Sequence, residues 1–134
     1  MAQIKDLKKF YVQQHGHSDC GPACLLSIIR YYGGNTNLDQ IRRVTGTSKT
    51  GTKMLGLFQG AKELGFEPSG LEAESIEDLN ELNQPAILHV VLKNNKHHYV
   101  VFFGFDNDEM LIGDPNKGLE KWSKERLKKV WKEK

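Results

Sequence analysis

The segment HSDCGPACLL, residues 17–26, places a cysteine where a polar stretch meets an apolar one. Ser18 and Asp19 are residue types that begin helices, and apolar residues with helical spacing follow from Ala23. We therefore expect Cys20 in the first turn of a helix, where free N–H groups and the helix dipole stabilise an anion. Because the thiolate is the reactive form of cysteine, Cys20 is a candidate nucleophile.

The residues beside Cys20 support this interpretation. Gly21 would let a substrate chain approach the sulfur closely, and Pro22 suits a first helical turn, where its missing N–H leaves no bond unmade. Cys24 lies one turn deeper among leucines and is expected to be a buried, unreactive thiol. Most free cysteines only pack, but the polar residues before Cys20 place it at an edge of the core.

Two other chemistries of this segment are weaker. CGPAC is one residue longer than the CxxC redox motif, and no predicted strand precedes it as in a thioredoxin-like unit. Zinc could bind His15, His17, Cys20 and Cys24, but no second ligand pair with zinc-finger spacing follows. We therefore predict a nucleophile and no metal site.

A cysteine nucleophile requires a base and a group that orients the base. His15 and His17 lie just before the thiol, whereas His89 lies inside an apolar run typical of a strand. His97 and His98 open another predicted strand and point to opposite faces, so only one of them can face the thiol. The residue pattern alone leaves the choice of base open.

Two further polar groups could complete the site. Asp114 ends a predicted strand in the sequence GDP, where its carboxylate could accept a hydrogen bond from an imidazole, although aspartate before proline is also common in turns. Gln13 and Gln14 precede Cys20 by seven and six residues. A side-chain amide there could donate to a developing oxyanion, beside the Cys20 backbone N–H.

The elements around these residues predict an α+β domain. Three helices ending at glycines are predicted in the first half, from Ser18–Asp19 to Gly33–Gly34, from Thr36 or Asn37 to Gly46, and from Thr50 to Gly65. The second half predicts a strand over 66–73, a short helix over 75–82, a hairpin of 86–92 with 97–105, a strand over 110–114, and a basic helix from Ser123. Helices followed by an antiparallel sheet give this fold class.

Composition narrows the function classes. With 134 residues, of which 38% are hydrophobic, the chain can build one hydrophobic core. A formal net charge of +2 is too small to indicate nucleic-acid or membrane binding by itself. The first residues lack the apolar centre of a signal peptide, and two cysteines four residues apart give no disulfide framework. A reducing cytosol is the expected compartment.

Six segments occur in an order that is specific as a set: QHGHSDCGPACL (14–25), YYGGN (31–35), TGTKMLGLFQGAKELGF (50–66), PAILHVV (85–91), HYVVFFGF (98–105) and IGDPNKG (112–118). Together they span residues 14–118. On these segments the chain resembles cysteine peptidase family thirty-nine, the leader peptidases at the N-terminus of ABC transporters that export bacteriocins and pheromones. The resemblance implies a papain-like α+β fold in which N-terminal helices pack on a C-terminal antiparallel sheet.

The resemblance also assigns roles to residues. It implies that Cys20 is the nucleophile, His98 the base, Asp114 the group that orients the base, and Gln14 the oxyanion donor. The interval of sixteen residues between histidine and aspartate selects His98 over His97, and the glutamine six residues before the cysteine is Gln14.

The function implied by the resemblance is an endopeptidase that removes the leader of a bacteriocin or pheromone precursor after a Gly-Gly pair. Residues 1–134 would be a single peptidase domain in the N-terminal part of a longer exporter chain. Its partners would be an amphipathic helical leader and attached transmembrane and nucleotide-binding domains, with no nucleic acid. The peptidase would need no cofactor, ATP would serve the attached transporter, and the domain would lie in the cytoplasm, tethered to the cytoplasmic face of the membrane.

Recognition of a helical leader would need an exposed apolar patch, because two glycines offer little side-chain contact. We place the substrate-binding residues at Gly21 and, in the third helix, at Met54, Leu57 and Phe58. Two other functions remain as alternatives: a non-catalytic leader-binding module, which the intact Cys20 argues against, and a helix-turn-helix DNA-binding protein built on residues 37–64 with their basic side chains, including Arg42 and Arg43.

Overall fold

A computed structural model describes residues 4–16, 18–49, 51–66, 84–93 and 96–130. A short 3-10 helix (Ile4–Leu7) precedes the other elements, which follow in the order α1 (Cys20–Tyr31), α2 (Leu38–Thr45), α3 (Met54–Glu63), β1 (Ala86–Leu92), β2 (Lys96–Asp106), β3 (Glu109–Asp114), β4 (Gly118–Trp122) and α4 (Lys124–Val130). Helices in the first half and an antiparallel sheet in the second confirm the predicted α+β class.

The four strands form one antiparallel sheet in the order β1-β2-β3-β4. The register of the β1–β2 hairpin places Ala86 opposite Phe102 and Leu92 opposite Lys96. A register shift between Phe102 and Gly104 interrupts the β2–β3 pairing, and Gly104 has a positive φ of 124° there, which a glycine adopts without strain. β4 is absent from the sequence prediction, since GLEKW is short and carries two charges, as edge strands often do.

The sheet is covered on both faces, which explains the nearly continuous apolar run of β2. Three alternate residues of β2 join the core that contains α1, namely Tyr99, Val101 and Phe103. The residues between them pack with Trp122 and with Leu127 of α4 in a second core, and these are Val100 and Phe102. β2 is therefore held from both sides, and it carries His98 near its beginning.

α1 begins at Cys20, where the sequence predicts a first turn, and ends before Gly33, which has a positive φ of 86°. Its N-terminal capping differs from the prediction. Asp19 occupies the N-cap position, but its side chain makes no hydrogen bond to the first turn of the helix. Its carboxylate instead binds Arg42 of α2.

The second helix has the predicted ends. The side chain of Asn37 accepts a hydrogen bond from the backbone N–H of Gln40 (2.9 Å), and Gly46 ends the helix in the left-handed conformation. α3 begins at Met54, later than the predicted Thr50, because Ser48 and Gly51 exchange two backbone hydrogen bonds of 3.0 Å in a tight turn before it. Thr50 itself lies outside the described residues.

The predicted helix 75–82, and all of the predicted strand 66–73 except Phe66, lie outside the described residues. Phe66, which is described, is not part of a strand. Within the described ranges, every helix is too short or too polar to cross a membrane.

Candidate active site

Cys20 lies at the N-terminus of α1, half-buried against β2. Its thiol hydrogen-bonds with the side chain of His98 and accepts from the backbone N–H groups of Tyr99 and Gly21. Cys24, one turn further along α1, is fully buried, and burial raises the pKa of its thiol well above the ordinary value. The structure therefore separates one thiol with polar partners from one enclosed in the core.

His98 connects Cys20 to a carboxylate. Its ring atom Nε2 lies 2.8 Å from Oδ1 of Asp114, and both side chains are buried. An ionised carboxylate only accepts hydrogen bonds, so Nε2 carries a proton and donates it to Asp114. Nδ1 is then the ring atom that remains for the thiol of Cys20, because an imidazole has only two nitrogens.

The pKa values of Cys20 and His98 shift in opposite directions. Burial by itself would raise the pKa of the Cys20 thiol, but the hydrogen bonds with His98 and with the Tyr99 N–H outweigh burial and lower it. Burial would likewise lower the pKa of His98, but hydrogen bonds to Asp114 and Cys20 raise it to about 9. Each shift favours the charged form, so the contact between the two groups stabilises a thiolate paired with an imidazolium.

Asp114 is fixed by the turn that follows β3. Its Oδ1 also accepts the backbone N–H of Asn116 at 2.9 Å, and its backbone carbonyl accepts the hydroxyl of Tyr11 at 2.5 Å. Burial would raise the pKa of this carboxyl, but the hydrogen bonds from His98 and Asn116 lower it, so Asp114 stays ionised. A buried carboxylate held in this way can orient the imidazole and stabilise its charge.

Gln14 lies beside the same turn, in the loop before α1. Its backbone N–H donates to the carbonyl of Pro115 (2.8 Å), and its side-chain Nε2 donates to the carbonyl of Gly16 (2.8 Å). Its Oε1 is enclosed without a hydrogen-bond partner in the part of the chain that the structure describes. Gln14 is thus anchored next to the Asp114 turn, whereas Gln13 is exposed.

The other histidines lie apart from this chain of hydrogen bonds. His89 Nε2 and His97 Nδ1 are 2.8 Å apart on the exposed part of the hairpin, with ring centroids 5.0 Å apart. His15 is exposed, and His17 lies outside the described residues. Among the residues that the structure describes, no three histidine, cysteine, aspartate or glutamate side chains lie together as metal ligands would.

Two of the four predicted substrate-binding residues are buried. Leu57 is 3% exposed and belongs to the core, so its placement on a surface patch is wrong. Gly21 is also buried, and a Cβ there would lie 3.0 Å from Cβ of Thr52, so its missing side chain serves packing in this structure. Met54 is 45% exposed and Leu55 63% exposed, which leaves an apolar surface at the start of α3.

Thr52 contacts both Gly21 and Tyr99, which the sequence does not reveal. It packs on Gly21, and its backbone carbonyl accepts the hydroxyl of Tyr99 at 2.8 Å. The residues that follow Cys20 and His98 therefore meet at one position before α3. No local pattern indicates such a contact, since it depends on how the helices dock on the sheet.

The pairing of Asp19 with Arg42 is the second contact that sequence reasoning missed. Arg42 binds both oxygens of the Asp19 carboxylate and also binds Asp39. The guanidinium is therefore used inside the fold, which removes a central basic residue from the helix-turn-helix alternative. Aspartate before a nucleophile could have prompted a search for a cation, but nothing in the sequence identifies Arg42 as that cation.

Comparison with known proteins decides the family. A model of the Peptidase C39 family matches residues 8–134. The chain belongs to the peptidase C39 family. Among curated relatives, this C39 domain is 36% identical over 127 residues to the transport/processing ATP-binding protein ComA of Streptococcus pneumoniae strain R6. The alignment covers 92% of this chain but only 18% of that relative.

Solved structures agree with this assignment. The peptidase domain of Streptococcus ComA, described as a bifunctional ABC transporter involved in a quorum sensing pathway, has a TM-score of 0.83, 38% identity and 90% coverage of both chains. A double glycine motif protease from an AMS/PCAT transporter, solved with its leader peptide, has a TM-score of 0.79 and 30% identity, with 90% of this chain and 83% of that chain covered. This C39 domain is therefore a cysteine peptidase domain with the papain-like fold that the sequence predicts.

Proposed function

We propose that this domain removes the leader of a precursor peptide by cutting after a Gly-Gly pair, with Cys20 as the nucleophile. The observation that carries the proposal is the continuous contact from the Cys20 thiol through His98 to the buried carboxylate of Asp114. It supplies a nucleophile, a proton carrier and a group that orients the carrier, which together suffice for acyl transfer.

The proposed reaction has two steps. The Cys20 thiolate attacks the carbonyl carbon of the second glycine, the negative charge moves to the carbonyl oxygen, and the imidazolium of His98 gives its proton to the leaving amine. The cargo peptide departs, and a thioester joins the leader to Cys20. Water then loses a proton to His98 and attacks the thioester, which frees the leader and restores the thiolate–imidazolium pair.

The oxyanion in both steps would be stabilised by the backbone N–H of Cys20 and by the side chain of Gln14. Gln14 supports this role by its anchoring, since its main chain is bound to Pro115, the residue after Asp114. The Nε2 group has two hydrogens, of which Gly16 takes one. The other hydrogen would be offered to the substrate.

The relatives support the proposed substrate and partners. One structural relative is a double glycine motif protease bound to its leader peptide, and a curated relative is a transport/processing ATP-binding protein. We therefore infer that residues 1–134 act as one domain of a bacteriocin or pheromone exporter at the cytoplasmic face of the membrane. ATP would be bound by the attached transporter and would take no part in peptide cleavage.

Mass spectrometry tests the proposal directly. The domain is incubated with a precursor peptide that ends its leader in Gly-Gly, and with the same peptide carrying Val-Val at that position. We expect two products from the first peptide, separated after the second glycine, and none from the second peptide. Cys20→Ala should give no products, while Cys24→Ala should keep most of the activity. Cleavage elsewhere, or equal loss in both cysteine variants, would contradict the proposal.

A further inference from the structure

Asp19 directly precedes the proposed nucleophile, Cys20, and is buried, with 4% of its surface exposed. The carboxylate makes no capping hydrogen bond to α1. Its Oδ1 accepts Nε of Arg42 at 2.8 Å and its Oδ2 accepts Nη2 of Arg42 at 2.7 Å, so the two groups form a bidentate ion pair between the start of α1 and the middle of α2. Such a pair fixes direction as well as distance.

The same carboxylate also holds the loop before α1. Asp19 Oδ2 accepts the backbone N–H of Gly16 (3.1 Å), and the carbonyl of Gly16 accepts both the Asp19 N–H (3.2 Å) and Nε2 of Gln14 (2.8 Å). A chain of hydrogen bonds therefore runs from Arg42 through Asp19 and Gly16 to the amide of Gln14. Because a carbonyl only accepts, Gly16 also determines which end of that amide carries the hydrogens.

We propose that Arg42 is a positioning residue for peptide cleavage: by binding Asp19 it holds Gly16 and Gln14 so that the Gln14 amide and the Cys20 N–H face one oxyanion. The inference rests on the proposed function, since it assumes that Cys20 acylates a carbonyl. Among the described residues, Arg42 forms its hydrogen bonds with Asp19 and Asp39, and not with His98 or Asp114.

The ion pair indicates what the loss of the Arg42 guanidinium would change. Without the guanidinium, Asp19 would be a buried carboxylate without a counter-charge, a state that proteins avoid by moving the group toward water. Such a movement would take away the acceptor of the Gly16 N–H and release the Gln14 amide. The thiolate of Cys20 would be preserved, because its hydrogen bonds come from His98, Tyr99 and Gly21.

Two reactions of the same thiol separate these effects. Acylation of Cys20 by p-nitrophenyl acetate forms an S–C bond at a carbonyl, passes through an oxyanion and expels p-nitrophenolate. Alkylation by iodoacetamide forms an S–C bond at a saturated carbon, expels iodide and develops no oxyanion. Arg42→Gln should lower the acylation rate about 10- to 100-fold, because a displacement of about 1 Å in an aligned group can cost about 100-fold. Its alkylation rate should match that of the unchanged protein.

Matched variants complete the test. Asp19→Asn removes the charge from the other side of the pair and should give the same pattern, as should the milder Arg42→Lys if Arg42→Gln folds poorly. Arg43→Gln changes the exposed neighbour on α2 and should alter neither reaction. With the Gly-Gly peptide, Arg42→Gln should lower kcat by a similar factor at an unchanged KM, after normalisation to the Cys20 that can be alkylated.

The outcomes distinguish this inference from the proposed function. An equal fall in acylation and alkylation, or no fall in acylation, would overturn the positioning role of Arg42. If the unchanged protein fails to cut the peptide, the proposed function is wrong. The ratio of ester acylation rates then still decides whether Arg42 positions the oxyanion donors.

Discussion

At the scale of single residues, the Cys20 thiol and the His98 imidazole each stabilise the charged form of the other. The pKa of the thiol is lowered and that of His98 is raised to about 9, in both cases against the effect of burial. The contact between Cys20 and His98, together with the carboxylate of Asp114, therefore stabilises the charged forms of both groups. A change in any one of the three residues should alter the titration of the other two.

The pair predicts two different pH profiles. Peptide cleavage requires the thiolate and also the imidazolium that protonates the leaving amine, so kcat/KM should fall as the thiolate becomes protonated at low pH and fall again as His98 deprotonates near pH 9. Alkylation by iodoacetamide requires only the thiolate and should stay high above pH 9. Measuring both rates from pH 4 to 10 checks this, and a parallel decline at high pH would contradict it.

Asp114→Asn should weaken cleavage and move the alkaline limb of its pH profile. The carboxylate raises the pKa of His98, so its loss should shift that limb to lower pH. Loss of an oriented proton carrier should lower kcat roughly 100-fold or more. His97→Ala, on the neighbouring residue whose ring contacts His89, should leave both quantities nearly unchanged. If His97→Ala is the inactive variant, His98 is not the base.

The limits of sequence reasoning are also visible at this scale. Cys20 was a candidate nucleophile because helix starts have local signals, whereas the residues alone left His97 and His98 equal until a family resemblance separated them. The structure shows why: the two side chains share a local pattern and differ only in what the folded sheet brings near them. The contact between Asp19 and Arg42 was missed for the same reason.

At the scale of elements, α2 and α3 pack closely through glycines. A Cβ on Gly56 would lie 2.2 Å from the backbone carbonyl oxygen of Thr45, and one on Gly60 would lie 2.5 Å from Cγ2 of Thr45. The first contact is with main-chain atoms, so the helices would have to move apart to admit a methyl group. The turn between Ser48 and Gly51 lies between α2 and α3, and it explains why α3 begins later than predicted.

Gly56→Ala should therefore destabilise the domain although alanine favours helices. Overpacking of this kind typically costs about 1–3 kcal/mol, which exceeds the gain in helix propensity of roughly 1 kcal/mol. Urea unfolding followed by circular dichroism gives the difference in free energy of unfolding. Gln59→Ala, at an exposed position of the same helix, is the control and should be neutral or slightly stabilising. A stabilised Gly56→Ala would show that α2 and α3 adjust without cost.

Local signals explain which elements the sequence predicted. Asn37, Gly46 and Gly33 mark helix ends by their own conformational preferences, and those ends were correct. β4 was missed because its five residues carry little pattern and pair with β3 only in the folded sheet. α3 began later than predicted because Ser48 and Gly51 form a turn whose hydrogen bonds have no equivalent in the helix period.

At the scale of the whole molecule, the helices carry Cys20, the proposed nucleophile, and the sheet carries His98, its proposed base. The exposed apolar side chains at the start of α3, Met54 and Leu55, lie on the helical part. Gly-Gly provides almost no side-chain contact, so affinity for a leader must come from another surface. We propose that these two residues form part of such a surface, beside Phe58, which is only partly buried.

Charges placed on this surface should weaken leader binding and leave the chemistry intact. Met54→Asp and Leu55→Asp should raise KM for a full leader several-fold with little change in kcat, because a docking contact remote from the thiol acts on binding. Lys128→Asp, at an exposed position of α4 on the opposite face of the sheet, is the control. A short peptide that spans only the Gly-Gly site should be cut poorly by every variant, including the unchanged protein. Equal cleavage of short and full peptides would contradict helix docking.

The hydrogen bond between Cys20 and His98 joins residues from opposite halves of the chain. Before the sheet docks on α1, Cys20 is an ordinary cysteine with the low reactivity of a free thiol at neutral pH. Thiol reactivity therefore appears at the moment of tertiary assembly. During refolding of a Cys24→Ala variant, Cys20 would be the single thiol, and pulses of an alkylating reagent would show when β2 docks on α1.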